Sequence, residues 1–160
     1  MVQVVEQFLV FYLMEQISML VLLVGVYYTF NGGFTWNEVN TGLNNLSVMN
    51  MVLNGNDIII GTGGGLYKSS NSGASWSLLS NGVPTLSISS LTISNGNIFA
   101  AISSMGVYMS SDSGNTWTSV NTGFGSLLVN SISANGTHLY AGIQGFGVYV
   151  STNNGGFGLL

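Results

Sequence analysis

Four times along this chain one phrase returns: GVYYTFNGGFTW from Gly25, GLYKSSNSGASW from Gly65, GVYMSSDSGNTW from Gly106 and GVYVSTNNGGFG from Gly147. The steps are 40, 41 and 41 residues, the length of one four-stranded propeller blade and too regular for chance. A period of that length restricts the chain to like units stacked side by side, each burying its faces against the next.

Each copy reads position by position. The second residue after the leading Gly is Tyr27, Tyr67, Tyr108 or Tyr149, flanked by Val or Leu, so the phrase opens as a strand. Then come Thr29, Ser69, Ser110 or Ser151; Asn31, Asn71, Asp112 or Asn153; and Gly33, Gly73, Gly114 or Gly155. A second strand begins after Thr35 and Trp36, Ser75 and Trp76, Thr116 and Trp117. Asp or Asn can bond the backbone two residues on, and Gly accepts a left-handed conformation, so S/T-x-D/N-x-G-x-S/T-W specifies a tight turn. The Trp that follows offers a large apolar face to the neighbouring blade.

This phrase resembles the Asp-box, or BNR repeat, of sialidase-like β-propellers. Copy three, SSDSGNTW, matches it in full, and copies one and two keep the carbonyl acceptor by placing Asn where the family has Asp. Copy four has lost the last element, with Phe157 and Gly158 where Thr and Trp should stand. The resemblance covers residues 25–158 and implies an all-β fold, a partial propeller of three to four antiparallel blades with boundaries near 41, 82 and 123. In that family the motif sits in the turn between the third and fourth strands, at the periphery. It implies architecture and brings no catalytic residue with it.

The other strands fall between the phrases: LSVMNMVL and DIIIGT, ISSLTIS and IFAAIS, LVNSISA and HLYAGI. Each pair is joined by a turn containing Asn-Gly, a strong hairpin signal. The connections NTGLNN, SNGVPT and NTGFGS are short, and Pro84, the only proline, lies in one of them. Counted this way, residues 25–160 hold half of one blade, two whole blades and three quarters of another. Closed propellers have four to eight blades, so the expected partners are further blades in the same polypeptide or another copy of the chain.

Residues 1–24, MVQVVEQFLVFYLMEQISMLVLLV, stand outside the repeat. As a signal peptide the segment lacks a basic start. As a membrane anchor its apolar run is interrupted by Glu15 and Gln16. A third reading makes it a frame-shifted relic of blade one. The codons of Met14 and Glu15, read one frame over, contain a Gly codon, and their neighbours permit N-G-T-N-I-Y-A-G-T across Leu13 to Leu22, close to NGTHLYAGI in blade four. The coding DNA decides between the three.

Charged residues make up 4% of the chain, against about 25% in ordinary soluble domains. Ser, Thr, Asn and Gly provide the polarity, a surface common in secreted and cell-surface repeat proteins, so an extracellular or envelope location is expected. The sequons Asn45-Leu46-Ser47 and Asn135-Gly136-Thr137 would accept glycans in a secretory pathway. There is no Cys, hence no disulfide framework. A net charge of −4 with one Lys and no Arg excludes a phosphate-binding stripe, and with it nucleic acid.

The same lack of Arg removes the arginine triad that a sialidase needs for its substrate carboxylate. Glu38, Asp57 and Asp112 are the carboxylates available for glycoside hydrolysis, but Asp112 belongs to the turn motif, and the other two align with neutral or His positions in other copies. His138 has no second His or Cys to complete a metal site, and GTGGG from Gly61 leads into a strand, without the helix a phosphate cradle needs. No catalytic residue, metal or cofactor is therefore expected. The family resemblance places any binding face opposite the motif turns, on loops 62–64, 103–105 and 144–146. Met105, Phe124 and Phe146 are the apolar candidates there, with a protein or glycan as ligand. Such propellers include receptor ectodomains, photosystem assembly factors and xyloglucan-cleaving enzymes, so a glycoside hydrolase fragment is the alternative reading.

Overall fold

The computed structural model of the chain describes residues 10–13 and 18–160. Among the described residues sixteen strands form four sheets of four, and within each sheet the strands follow chain order, antiparallel throughout. The first sheet is β1 (Val10–Leu13), β2 (Ser18–Leu22), β3 (Gly25–Thr29) and β4 (Asn37–Glu38). The second is β5 (Val48–Asn54), β6 (Asp57–Thr62), β7 (Gly65–Ser69) and β8 (Ser77–Leu79). The third is β9 (Ile88–Ser94), β10 (Asn97–Ile102), β11 (Gly106–Ser110) and β12 (Thr118–Ser119). The fourth is β13 (Val129–Asn135), β14 (His138–Ile143), β15 (Gly147–Ser151) and β16 (Phe157–Leu159).

Two corrections to the sequence reading follow. Residues 10–13 and 18–22, set apart from the repeat above, supply the first two strands of the first sheet, with Met19 paired to Tyr28 and Leu20 to Tyr27. The physical cause is alternation: Met19 and Val21 are buried against the second sheet while Ser18, Leu20 and Leu22 face the other way, half-buried. Among the described residues no helix is long and apolar enough to cross a membrane. The frame-shift reading turns on a stretch of which 14–17 lie outside the described residues.

The second correction concerns copy four, which has not lost its ring. The Trp76 N–H donates to the Thr41 carbonyl at 2.8 Å and the Trp117 N–H to that of Asn81 at 3.1 Å; in the last copy the Phe157 N–H donates to Thr122 at 2.9 Å. Phe157 thus fills the place of Trp one residue early, and its turn is one residue shorter.

The core consists of three seams, each joining one sheet to the next. Met19, Val21 and Val26 of the first sheet meet Ile58, Ile60, Tyr67 and Trp76 of the second. Val52, Ile59 and Leu66 then meet Ile98, Ala100 and Trp117, and Phe99, Ala101 and Val107 meet Leu139, Ala141, Tyr149 and Phe157. Burying one such ring contributes roughly 2–3 kcal/mol. The aromatic residue therefore acts as the wedge expected of it.

Each seam is fixed by a glycine in the connection between sheets. Gly42, Gly82 and Gly123 have φ of 93°, 78° and 92°, and a Cβ there would overlap the carbonyl oxygen of Trp76, Trp117 or Phe157. Only glycine offers both the left-handed backbone and the close approach. The third and fourth sheets are also linked by hydroxyls: Ser89 Oγ donates to the Val129 carbonyl at 2.8 Å, Ser90 Oγ to Ile132 at 3.1 Å and Ser94 Oγ to Gly136 at 3.0 Å. Bulges between Val48 and Asn50, next to Ile88, and between Val129 and Ser131 recur at the same place in the first strands of the second, third and fourth sheets.

Candidate functional site

Antiparallel order divides the turns between two faces. The turns joining first to second and third to fourth strands lie on one, and those joining second to third strands, with the connections between sheets, lie on the other.

On the first face each motif turn is held by a buried hydroxyl. Thr29, Ser69, Ser110 and Ser151 are each 1% exposed. Every one accepts the N–H of its motif glycine, Gly33, Gly73, Gly114 or Gly155, at 2.8–3.1 Å. Each donates to Asn31, Asn71, Asp112 or Asn153 at 2.8–3.0 Å. The Asx oxygen in turn accepts the N–H of Thr35, Ser75, Thr116 or, in the shortened copy, Gly156. Asn31 and Asn71 donate their amides to the hydroxyls of Thr35 and Ser75, whereas Asp112 accepts from Thr116 Oγ1 at 2.6 Å. The Thr116 hydroxyl and amide, then Ser110, lower the Asp112 pKa to about 2. A carboxylate so depressed holds a turn; it is a poor proton donor near neutrality. Trp76 and Trp117 are 4% exposed, their indole N–H groups donating to Val39 at 2.8 Å and Gly114 at 3.0 Å. Trp36 is half-buried.

The other acidic residues also have structural partners. Asp57 pairs with Lys68 at 2.7 Å, and that contact, with Ser70, lowers its pKa. Lys68 Nζ reaches further, to the Ser113 carbonyl of the third sheet at 2.9 Å. The lone cation of the sequence is thus a pin between two sheets. Its signal was present: only the second copy carries both an acid opening its second strand and a base in its third. Beside it a groove of about 470 Å³ is lined by Ser70, Asn71, Ser75, Ser77 and Asn115. Glu38 accepts a hydrogen bond from Asn40 Nδ2. His138 is exposed and stacks on Tyr140 with ring centroids 6.3 Å apart. Among the described residues no cluster of three or more His, Cys, Asp or Glu side chains stands ready for a metal.

On the opposite face the turns are tied to the connections by a repeated bond. Gly63 N–H donates to Ser47, Ser103 to Ser87 and Gln144 to Leu128, each at 2.9 Å. Just beyond each bond stands a leucine at an equivalent position: Leu46, Leu86 and Leu127, exposed by 40, 44 and 41%. Of the three apolar candidates named from sequence, only Phe146 is open to solvent, at 50%. Met105 packs against the seam between the second and third sheets. Phe124 lies 4.4 Å from Phe157 and edge-on to Tyr149 at 5.6 Å, measured between ring centroids. The leucine row escaped the sequence reading because a single Leu in a loop carries no message; its recurrence at one repeat position was the signal.

Solved structures with this architecture include an ancestral GH74 enzyme, 25% identical with a TM-score of 0.75, matched over 91% of this chain and 22% of that one. The extracellular domain of BT4673 from B. thetaiotaomicron is 16% identical with a TM-score of 0.76, over 93% of this chain and 21% of that one. YCF48 bound to D1 peptide is 17% identical with a TM-score of 0.62, over 89% and 50%. The chain therefore spans about a fifth to a half of these neighbours. A comparison with curated proteins found no match. The profile of a family described as DUF6242 beta propeller domain matches residues 30–158, and this chain belongs to that β-propeller family.

Proposed function

We propose that the chain is a non-catalytic binding module, a part of a larger ring of blades displayed outside the cell or in its envelope, with a protein or glycan as ligand. Its motif turns are read as Asp-boxes that build the rim. The carrying observation is the row of Leu46, Leu86, Leu127 and Phe146 on the face opposite those turns, while Glu38, Asp57 and Asp112 are bonded into the scaffold. Exposed apolar side chains at regular intervals on a rigid frame suit an extended peptide better than a sugar, whose recognition relies on stacked aromatics and paired carboxylates. YCF48 with its D1 peptide and the extracellular BT4673 domain support peptide binding and location respectively.

A second reading, a segment of a glycoside hydrolase whose catalytic residues lie in other blades, draws support from the GH74 neighbour. Calorimetric titration with unstructured apolar peptides and with glucan oligosaccharides separates the two. Peptide binding that weakens about tenfold in Leu86→Ser and Phe146→Ser variants supports the module. Oligosaccharide binding that survives those changes points to the enzyme segment.

A further inference from the structure

Along the motif turns the copies differ in what they hold out to solvent. The positions of Phe30 and Phe34 in the first copy are taken by Ser70 and Ala74 in the second and by Ser111 and Asn115 in the third. Phe30 is 64% and Phe34 90% exposed, and the four counterparts are exposed as well. The second and third sheets pack against a neighbour on both sides, so an adjoining sheet leaves these two positions open. The phenylalanines are therefore not core residues left bare. Half-buried Tyr28 extends them, its ring centroid 6.1 Å from that of Phe30 and its plane tilted by 38°. Exposed rings gathered in one turn, where the next two copies carry small or polar side chains, mark a contact surface.

One seam further on, the chemistry is complementary. In the groove between the second and third sheets, Lys68 and Ser70 stand where Tyr28 and Phe30 stand one copy earlier. Its volume of about 470 Å³ lies within the range of about 300–1,000 Å³ usual for small-ligand sites. Ser75, Ser77 and Asn115 add hydroxyls and an amide to its wall, and Leu79 an apolar patch. The Ser77 hydroxyl has no partner among the described residues. Lys68 is neutralised by Asp57 at 2.7 Å, and Asp112, whose carbonyl accepts from Asn115, adds a negative charge at the edge. An anion therefore meets no unpaired positive charge there. An apolar peptide would leave the hydroxyls and amide dry and unsatisfied.

We propose that the motif face binds a neutral oligosaccharide, with the faces of its sugar rings on Phe30 and Phe34 and the hydroxyls of further units in the groove of Ser70, Ser75, Ser77 and Asn115. A sugar ring carries C–H groups on its faces and hydroxyls around its edge, and consecutive seams divide these two demands between them. Hydroxyls and an amide here take the part that carboxylates play in other sugar sites. A ligand built of like units also matches a frame in which like positions recur at each seam. The site lies on the opposite side of the molecule from the leucine row and does not depend on it.

The test uses the full chain on an array of neutral and acidic oligosaccharides, followed by calorimetric titration with the neutral member best retained. Wild type is expected to retain neutral members and not acidic ones. Phe30→Ser with Phe34→Ala gives the first turn the residues of the second copy, so an unchanged melting temperature is expected together with an affinity lower by about tenfold. Asn115→Ala, which also places the second copy's residue, should weaken binding by about fivefold. Leu86→Ser should leave oligosaccharide binding unchanged, and the phenylalanine double variant should leave peptide binding unchanged. No neutral oligosaccharide retained, a preference for acidic ones, or a loss of peptide binding in the double variant would each overturn the proposal. Oligosaccharide binding that survives both Leu86→Ser and the double variant would overturn it too, and would leave the glycoside hydrolase reading standing.

Discussion

The seams between sheets and the turns at the rim are both repeated along the chain, yet they tolerate change very differently. At the rim, Asp112 replaces Asn without altering the hydrogen-bond pattern around the buried hydroxyl, and the last copy even drops a residue. At the seams the glycine is retained in all three connections, and the aromatic keeps its place even where the turn is shortened. A polar turn needs only an acceptor in the right place, which several side chains can supply. A seam must fill a volume, and a volume is harder to counterfeit.

That contrast is open to attack, beginning with the largest effect. Trp117→Ala should destabilise by about 3–5 kcal/mol, while Trp117→Phe should cost less, about 1–3 kcal/mol, because Phe157 already fills this place in the next seam and only the indole bond to Gly114 and part of the volume are lost; urea melts measure both. Equal losses would show that the indole does more than fill space. Next, Gly82→Ala should cost on the order of 2–3 kcal/mol through the left-handed backbone and the overlap with Trp117. Gly136→Ala, where nothing lies within 4 Å of an added Cβ, should cost about 1 kcal/mol. Thermal denaturation of the pair isolates the overlap.

At the rim, Ser110→Ala strands the Gly114 amide and should cost about 1–3 kcal/mol, readable by denaturant titration. Smallest of all, Asp112→Asn should leave stability at neutral pH almost unchanged, because Asn31 and Asn71 hold the same turn in two other copies. Its signature lies in acid. The folded pKa of Asp112 is lowered from 3.8 to about 2, so its contribution is fully present above the unfolded value and fades as pH falls through the folded one. Melting temperatures from pH 5 down to 2 should therefore decline less in the variant than in wild type. A matching decline would remove Asp112 from the account of acid sensitivity, leaving Asp57, whose pKa is lowered by Lys68.

Much of the frame was legible because the repeat phrase carries local turn chemistry at fixed intervals, and Asn-Gly dipeptides mark the remaining hairpins. What escaped was whatever the period hides. A fixed step of 41 residues sets Gly158 against Trp117, so the one-residue slip that brings Phe157 into the seam is invisible until the amide of Phe157 is seen on Thr122. The Leu- and Val-rich run before Gly25 lacks the phrase and the Asn-Gly turn, and a short apolar run does not distinguish strand from helix. Met105 and Phe124 read as loop residues open to ligand, but Phe124 is drawn inward by Tyr149 and Phe157, neighbours some 25 and 33 positions away that only folding brings near.

The hydrogen bond from the Trp76 amide to Thr41, and its two repeats, has a consequence for how such chains grow and shrink. The carbonyl that receives each bond is carried by the stretch leaving one blade, and the amide that gives it by the far strand of the next. A gene duplication that copies one full period brings its own donor and acceptor in the correct order. A crossover with any other offset leaves a knot half tied, so whole steps preserve the bond and fractional ones break it.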